Sequence, residues 1–256
     1  MLKSTVLKVG DRLISSEEII DLLERYQLLP QLVQEVIIDD AVAAFDCSEK
    51  ELVTTRQKFY QQQQLNTQEQ QESWQQKRGI TSEVLAAKIA REVKLAKFKQ
   101  LTWGQQLPEY FSQRQQQLAQ VVYWLLRIKK TESNLIEQLY SKLESGENNF
   151  SELARQYSTG SEVNTGGLVG PVEVSTLHPQ LTQILSQSEV GLLKKPFLLG
   201  DWWVIVRVEK WLPATLDEGM RQRLIEELFK KWLEKKAKQN LGWYQINITD
   251  DPLSAK

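Results

Sequence analysis

The sequence predicts an α+β protein. A helical N-terminal lobe spans residues 1–118, a β/α domain with a small, mostly antiparallel sheet spans 119–212, and a C-terminal helix and tail over 213–256 complete the helical lobe. Three observations lead there. The first 118 residues carry apolar side chains at helical spacing between repeated capping signals. Two short segments, VVYWLLRIKK at 121–130 and WWVIVRVEKW at 202–211, are β-branched and aromatic, and the second alternates as a strand does. The last segment carries one apolar stripe, Met220, Leu224, Leu228 and Trp232. Such a helix is not stable alone in water and needs an apolar face to cover it. The unpaired faces of the N-terminal helices are the natural partner.

Each element has its own signal. TVLKVGDRLI, at 5–14, alternates weakly around a Gly10-Asp11 turn and predicts a short hairpin or extended lead-in. Ser15 with Glu18 forms a capping-box pattern ahead of Ile19, Ile20, Leu22, Leu23 and Tyr26. Pro30 suits the first turn of a second helix carried by Val33, Ile37, Ala41 and Phe45. Ser48 with Glu51 opens a third, through Leu52, Val53, Phe59 and Tyr60. Nine of the sixteen residues at 61–76 are glutamine, with Leu65 and Trp74 among them. That composition reads as a solvated helix pair broken near Asn66, or as a floppy linker. Thr81 or Ser82 starts a helix with Leu85, Ile89, Val93 and Ala96 on one face, and Pro108 starts a shorter one ending near Leu118. After the first strand, Leu135, Ile136, Leu139 and Leu143 mark a helix closed by Gly146. Thr215 with Glu218 is the predicted cap of the last helix, with an extended, fraying tail after Gly242.

Composition excludes several functions. Lys and Arg number 32 and Asp and Glu 33, for a net charge of −1, so no electrostatic footprint points to nucleic acid. Cys47 is the single cysteine and His178 the single histidine, which leaves no basis for a disulfide or for a Cys- or His-based metal site. No cofactor is called for. No stretch approaches the ~20 apolar residues of a membrane span, and the N-terminus has no signal-peptide pattern. The expected compartment is the cytoplasm. Cys47 is expected to be inert, and His178, ahead of Pro179, to be exposed or capping.

The most informative stretch is FSELARQYSTGSEVNTGGLVGPVEVSTLHPQLTQIL, at 150–185. A short amphipathic helix runs into a polar turn, a Gly-Gly corner, an apolar strand and a Pro-started helix. FSELARQYS at 150–158, Gly166-Gly167, LHPQL at 177–181 and EVGLLKKPFLLG at 189–200 resemble the corresponding motifs of the parvulin family of peptidyl-prolyl cis-trans isomerases. The likeness covers 119–212. The flanks, helices before and one long helix after, resemble foldases and chaperones of the SurA and PrsA type, in which the last helix returns to the N-terminal lobe.

The resemblance implies an apolar proline slot formed by Leu177 and Leu181, with Val169, Val172 and Trp203 beside it. It also implies polar residues that this chain lacks. The windows where the family places histidines hold Tyr123, Trp124, Leu125 and Leu126 in the first strand and Trp202, Trp203 and Val204 in the last. Thr159-Gly160 follows the Tyr-Ser pair, where an acidic residue or cysteine is common, and Leu168 replaces the usual Asp after Gly-Gly. Four tryptophans, Trp124, Trp202, Trp203 and Trp211, fall on the predicted sheet. They read either as packing or as an exposed aromatic face for extended peptide. Two readings stay open: an isomerase and folding factor acting on Xaa-Pro bonds, and a catalytically weak or inactive peptide-binding chaperone on the same scaffold. The partner expected in both is an unfolded or extended client polypeptide, with proline-containing segments in the slot. A structural helical adaptor is a third, weaker reading.

Overall fold

A computed structural model describes residues 5–247. The predicted tail beyond them lies outside the described residues. The chain divides into two compact units, one made of Met1–Leu107 with Arg221–Lys256, the other of Pro108–Met220.

The first unit opens on an antiparallel hairpin, β1 (Thr5–Val9) and β2 (Arg12–Ser15), turned at Gly10 with φ +60°. Ser15 caps α1 (Ser16–Arg25) by accepting from the Glu18 N–H at 3.3 Å. Only half of the predicted capping box forms, because the Glu18 carboxylate pairs with Arg12. Pro30 lies in the first turn of α2 (Leu29–Val42). At α3 (Glu49–Gln62) the box is complete, with Glu51 N on Ser48 Oγ at 3.4 Å and Ser48 N on Glu51 Oε2 at 2.8 Å. Lys97 lies 2.8 Å from the same carboxylate. The hydrogen bond from Lys97, then those from Ser48, lower the Glu51 pKa to about 2. The glutamine-rich stretch is two helices. α3 ends at Gln62, and α4 (Gln68–Arg78) starts at a second full box, Thr67 with Gln70, and closes at Gly79. α5 (Ser82–Trp103) buries Leu85, Ile89 and Val93.

α10 (Glu218–Asn247) corrects two details. Its first turn is capped by Asp217, whose Oδ1 accepts from Met220 N at 2.8 Å, rather than by Thr215. The helix also runs through Gly242 instead of turning extended there. A single glycine costs a helix only about 1 kcal/mol. The core of this unit joins Ile38, Val42, Trp103 and Phe229, with Phe45, Phe98, Leu228 and Trp232 packed against them.

The second unit takes the 108–118 stretch of α6 (Leu107–Leu118), which the sequence placed with the helical lobe. Gln115 Nε2 donates to Ala214 O at 3.3 Å within this unit. The elements that follow are β3 (Gln120–Lys129), α7 (Ser133–Ser145), α8 (Phe150–Tyr157), β4 (Leu168–Glu173), α9 (Pro179–Ser186), β5 (Phe197–Leu199) and β6 (Trp202–Leu212). The four strands make one sheet in the order β4-β3-β6-β5, each neighbour antiparallel. Both faces are covered. Ile136 and Leu139 of α7 and Phe150, Leu153 and Ala154 of α8 pack with Leu126, Ile128 and Ile205. On the other face, Leu181 and Leu185 of α9 pack with Val121, Tyr123, Leu125, Val204, Val206 and Val208.

The Gly-Gly corner locks α8 and β4 to β3. Gly167 has φ +87°, its O accepts from Leu125 N at 2.8 Å, and a Cβ there would lie 2.7 Å from Ala154 Cβ and 3.0 Å from Leu125 O. Gly167→Ala is therefore expected to cost about 2–4 kcal/mol, from left-handed backbone strain plus overpacking. Gly146→Ala, at φ +75° with nothing within 4 Å of the new Cβ, should cost only about 1–2 kcal/mol. Denaturant midpoints of the two variants make the comparison, and equal losses would show that the close approach imposes no constraint.

Candidate functional site

Four of the residues predicted to form the slot lie on the α9 face of the sheet. Pro179 starts α9, and His178 caps it by accepting from Gln180 N on Nδ1 at 3.3 Å while staying exposed. The helix presents Leu181 and Leu185 to the sheet, both buried. Leu177, on the turn before the helix, and Val169 and Val172, on β4, pack on the same cluster and remain half-buried. Four of the five predicted residues are thus brought together. Leu181 is buried, and Leu177, Val169 and Val172 keep part of their surface accessible beside it.

Trp203 is the exception. It packs on the opposite face with the cluster of Leu126, Ile128 and Ile205, and its Nε1 donates to Lys130 O at 3.1 Å. The reason is strand alternation. Val204, Val206 and Val208 face α9, so Trp202 shares their side and Trp203 does not. Trp202 and Trp211 are the tryptophans on the slot face. Trp124 also lies on the far face, tilted against Phe150 with ring centroids 5.6 Å apart, and donates to Glu209 at 2.7 Å. A surface cavity of about 820 Å³ opens on that far side, lined by Trp124, Tyr140, Phe150, Leu193 and Arg207 among others. It does not include the slot.

The α9 face also carries a polar constellation that the motif comparison did not reveal. Arg127 of β3 reaches the Glu162 carboxylate, Nε to Oε1 at 3.1 Å. Ser158 donates to the same oxygen through Oγ. The Ser158 Oγ in turn accepts from Arg127 N at 3.1 Å, and Thr159 N donates to Arg127 O at 3.0 Å. The Arg127 guanidinium carbon stands 5.5 Å from the centre of the Trp202 ring. Glu162 is only 4% exposed and is held in a 3-10 turn over Ser161–Thr165. Gly160 leaves room for the pair, since a Cβ there would push on the Arg127 guanidinium and the Glu162 carboxylate. Thr159-Gly160 thus makes room for an acidic residue two positions further along. Tyr123 lies on the same strand face as Arg127, paired across the sheet with Val169. Burial, then the Glu162 charge, push its hydroxyl up to about 12, against an opposing pull from Arg127.

One signal in the sequence could have located this network. Arg127 interrupts an otherwise apolar, β-branched strand, and a charge at such a position is rarely buried without a partner. Nothing local names Glu162 as that partner, because 35 residues separate the two.

The chain resembles known proteins. The family described as "Rotamase: PPIC-type PPIASE domain" matches residues 126–210. The chaperone SurA of Pseudomonas syringae pv. syringae is 33% identical over 122 residues, 43% of this chain and 28% of the relative. That of Hahella chejuensis is 28% identical over 120 residues, 43% of this chain and 27% of the relative. The chain therefore spans little more than a quarter of the length of the curated relatives it matches. Among solved structures, the peptidylprolyl isomerase PrsA of Bacillus anthracis aligns over 83% of this chain and 97% of its own, at 17% identity and a TM-score of 0.47. With the antiparallel sheet and the Gly-Gly corner in place, residues 126–210 are a parvulin-type domain of the PPIC class, and the chain is similar over 43% of its length to SurA chaperones.

Proposed function

We propose that the unit of Pro108–Met220 binds proline-containing segments of client polypeptides and accelerates isomerisation of their Xaa-Pro bonds. The observation that supports this reading is the apolar cluster that Leu181 shares with half-buried Leu177, Val169 and Val172, within a PPIC-type domain. The uncatalysed barrier of about 18–20 kcal/mol comes from amide resonance. A catalyst must hold the twisted amide more tightly than either planar form. Twisting weakens the carbonyl dipole, so a dry, apolar slot favours the twisted form without nucleophile, metal or cofactor.

A second reading, a chaperone that holds extended client and turns over weakly, is favoured by the surface of the other unit. Ile20, Tyr26, Leu32, Val36 and Val84 are all 45% or more exposed, and an extended client could cover such side chains. No described helix is long and apolar enough to cross a membrane.

Exchange NMR on a short Xaa-Pro peptide separates the two. The first reading expects faster cis-trans exchange at substoichiometric protein. Leu177→Glu, at an accessible position, should weaken peptide binding by about tenfold, through a buried charge facing the proline ring. No acceleration at stoichiometric protein, with client aggregation still suppressed, would select the chaperone reading. Neither activity would sink both.

A further inference from the structure

We propose that the Tyr123 hydroxyl is the hydrogen-bond donor that the slot offers to the amide of a bound Xaa-Pro peptide. This rests on the peptide-binding reading above and names the group that would carry its polar contact.

Tyr123 is 3% exposed and belongs to the same cluster as Leu181, Val204 and Val206, with Val169, Val172 and Leu177 packed against that cluster. Among the described residues no hydrogen bond reaches its Oη. Yet no fully buried side-chain nitrogen or oxygen among them lacks a partner. An unpaired Oη therefore has to lie in the small part of Tyr123 that remains accessible. A nearly buried tyrosine with an uncommitted hydroxyl at its open end is unusual, because leaving a buried hydroxyl unmade costs about 1–3 kcal/mol. Glu162, whose charge reaches Tyr123, already pairs with Arg127 and Ser158. Glu162 Oε1 takes both Arg127 Nε and Ser158 Oγ, and the Ser158 Oγ accepts from Arg127 N.

The environment also sets the sense of the bond. Burial and the Glu162 carboxylate both disfavour the phenolate, so the hydroxyl keeps its proton and donates. A planar amide presents its carbonyl oxygen to such a donor. As the amide twists, the nitrogen lone pair leaves resonance and becomes a second acceptor. Donation to the oxygen would strengthen binding, and donation to the nitrogen would strengthen only the twisted form.

Tyr123→Phe in the full chain tests the assignment, with a succinyl-Ala-Ala-Pro-Phe amide as probe. Removing the hydroxyl should reduce affinity or the exchange rate by about 3- to 10-fold. A loss in affinity marks donation to oxygen, and a loss in rate at saturation marks donation to nitrogen. Because no described residue bonds the hydroxyl, the denaturant midpoint should not fall. The Tyr123 ζ-carbon signal of the unaltered protein should shift on adding peptide, a response that a purely structural tyrosine would not give. Unchanged affinity and rate in the variant, or a ζ-carbon signal indifferent to bound peptide, overturns the proposal and leaves the peptide-binding reading intact. If the unaltered protein neither binds nor turns over the probe, both fall together.

Discussion

Arg127→Met is expected to destabilise the second unit by about 3–5 kcal/mol, the cost of leaving a buried charge without its counter-ion. The charge in question is Glu162, 4% exposed, which would keep only Ser158 as a side-chain partner. The change also removes the guanidinium from beside the Trp202 ring, 5.5 Å away, worth a further ~0.5–1 kcal/mol. The reverse substitution is milder. The Arg127 side chain is 34% exposed against 3% for Glu162, so water can replace the lost carboxylate. Glu162→Gln should therefore cost only about 1–2 kcal/mol. Replacing both by Met removes both desolvation penalties, so the double variant is expected to be more stable than Arg127→Met alone. Urea titrations followed by amide signals of Leu126 and Val206 report on this unit's core. An Arg127→Met variant as stable as the unaltered protein would show that the pair is a surface contact, and the ordering of the three variants separates that outcome from a simple loss of packing.

The same network shows what could and could not be read from the chain. Strand and helix types were legible where a single period dominates, as in the α5 stripe of Leu85, Ile89 and Val93, all buried. The phase of β6 was not. Helices cover both faces of the sheet, so Val204, Ile205 and Val206 are equally buried and the inward-outward pattern carries no polarity contrast. Trp202 and Trp203 then look alike in the sequence, and choosing Trp203 put the wrong indole beside the slot. Caps failed for a related reason. Thr215 and Asp217 are both good capping types, and which one is used depends on where the backbone turns into the helix. The start of α9 was legible because proline fixes the first turn of a helix, which turns Leu181 and Leu185 toward the sheet. The polar side of the site was not, because Arg127, Ser158 and Glu162 meet only after β3, α8 and the Gly160 turn have come together. A sequence motif registers the missing histidines. It does not see that other polar groups occupy the same face.

Trp103→Ala should be the most damaging single change in the first unit, at about 3–5 kcal/mol. Trp103 is buried near the end of α5, with ring centroids 5.5 Å from Phe98, 6.0 Å from Phe229 and 6.1 Å from Trp232, mostly edge-on. Phe98 also meets Trp232 at 5.1 Å, and Phe229 stacks on Trp232 at 5.8 Å. Removing the central ring takes away a large buried area and three ring contacts together. The surrounding rings are rigid and collapse poorly into the space. Leu101 sits two residues earlier on the same helix and is 72% exposed, so Leu101→Ala should fall within about 0.5 kcal/mol of the unaltered protein. The contrast matters because Leu101 would look like core on hydrophobicity alone. If α5 presents its Trp103 side to α10, as the Lys99–Glu226 pair at 2.7 Å on the same interface requires, the two variants must differ by several kcal/mol in guanidinium denaturation. Near-equal losses would mean that the two helices do not pack through this cluster. The Lys99 ammonium, 4.2 Å from the Phe229 ring centre, gives an independent check. Lys99→Met should leave the aromatic packing intact and cost no more than about 1–2 kcal/mol, since the Glu226 side chain it abandons is half exposed.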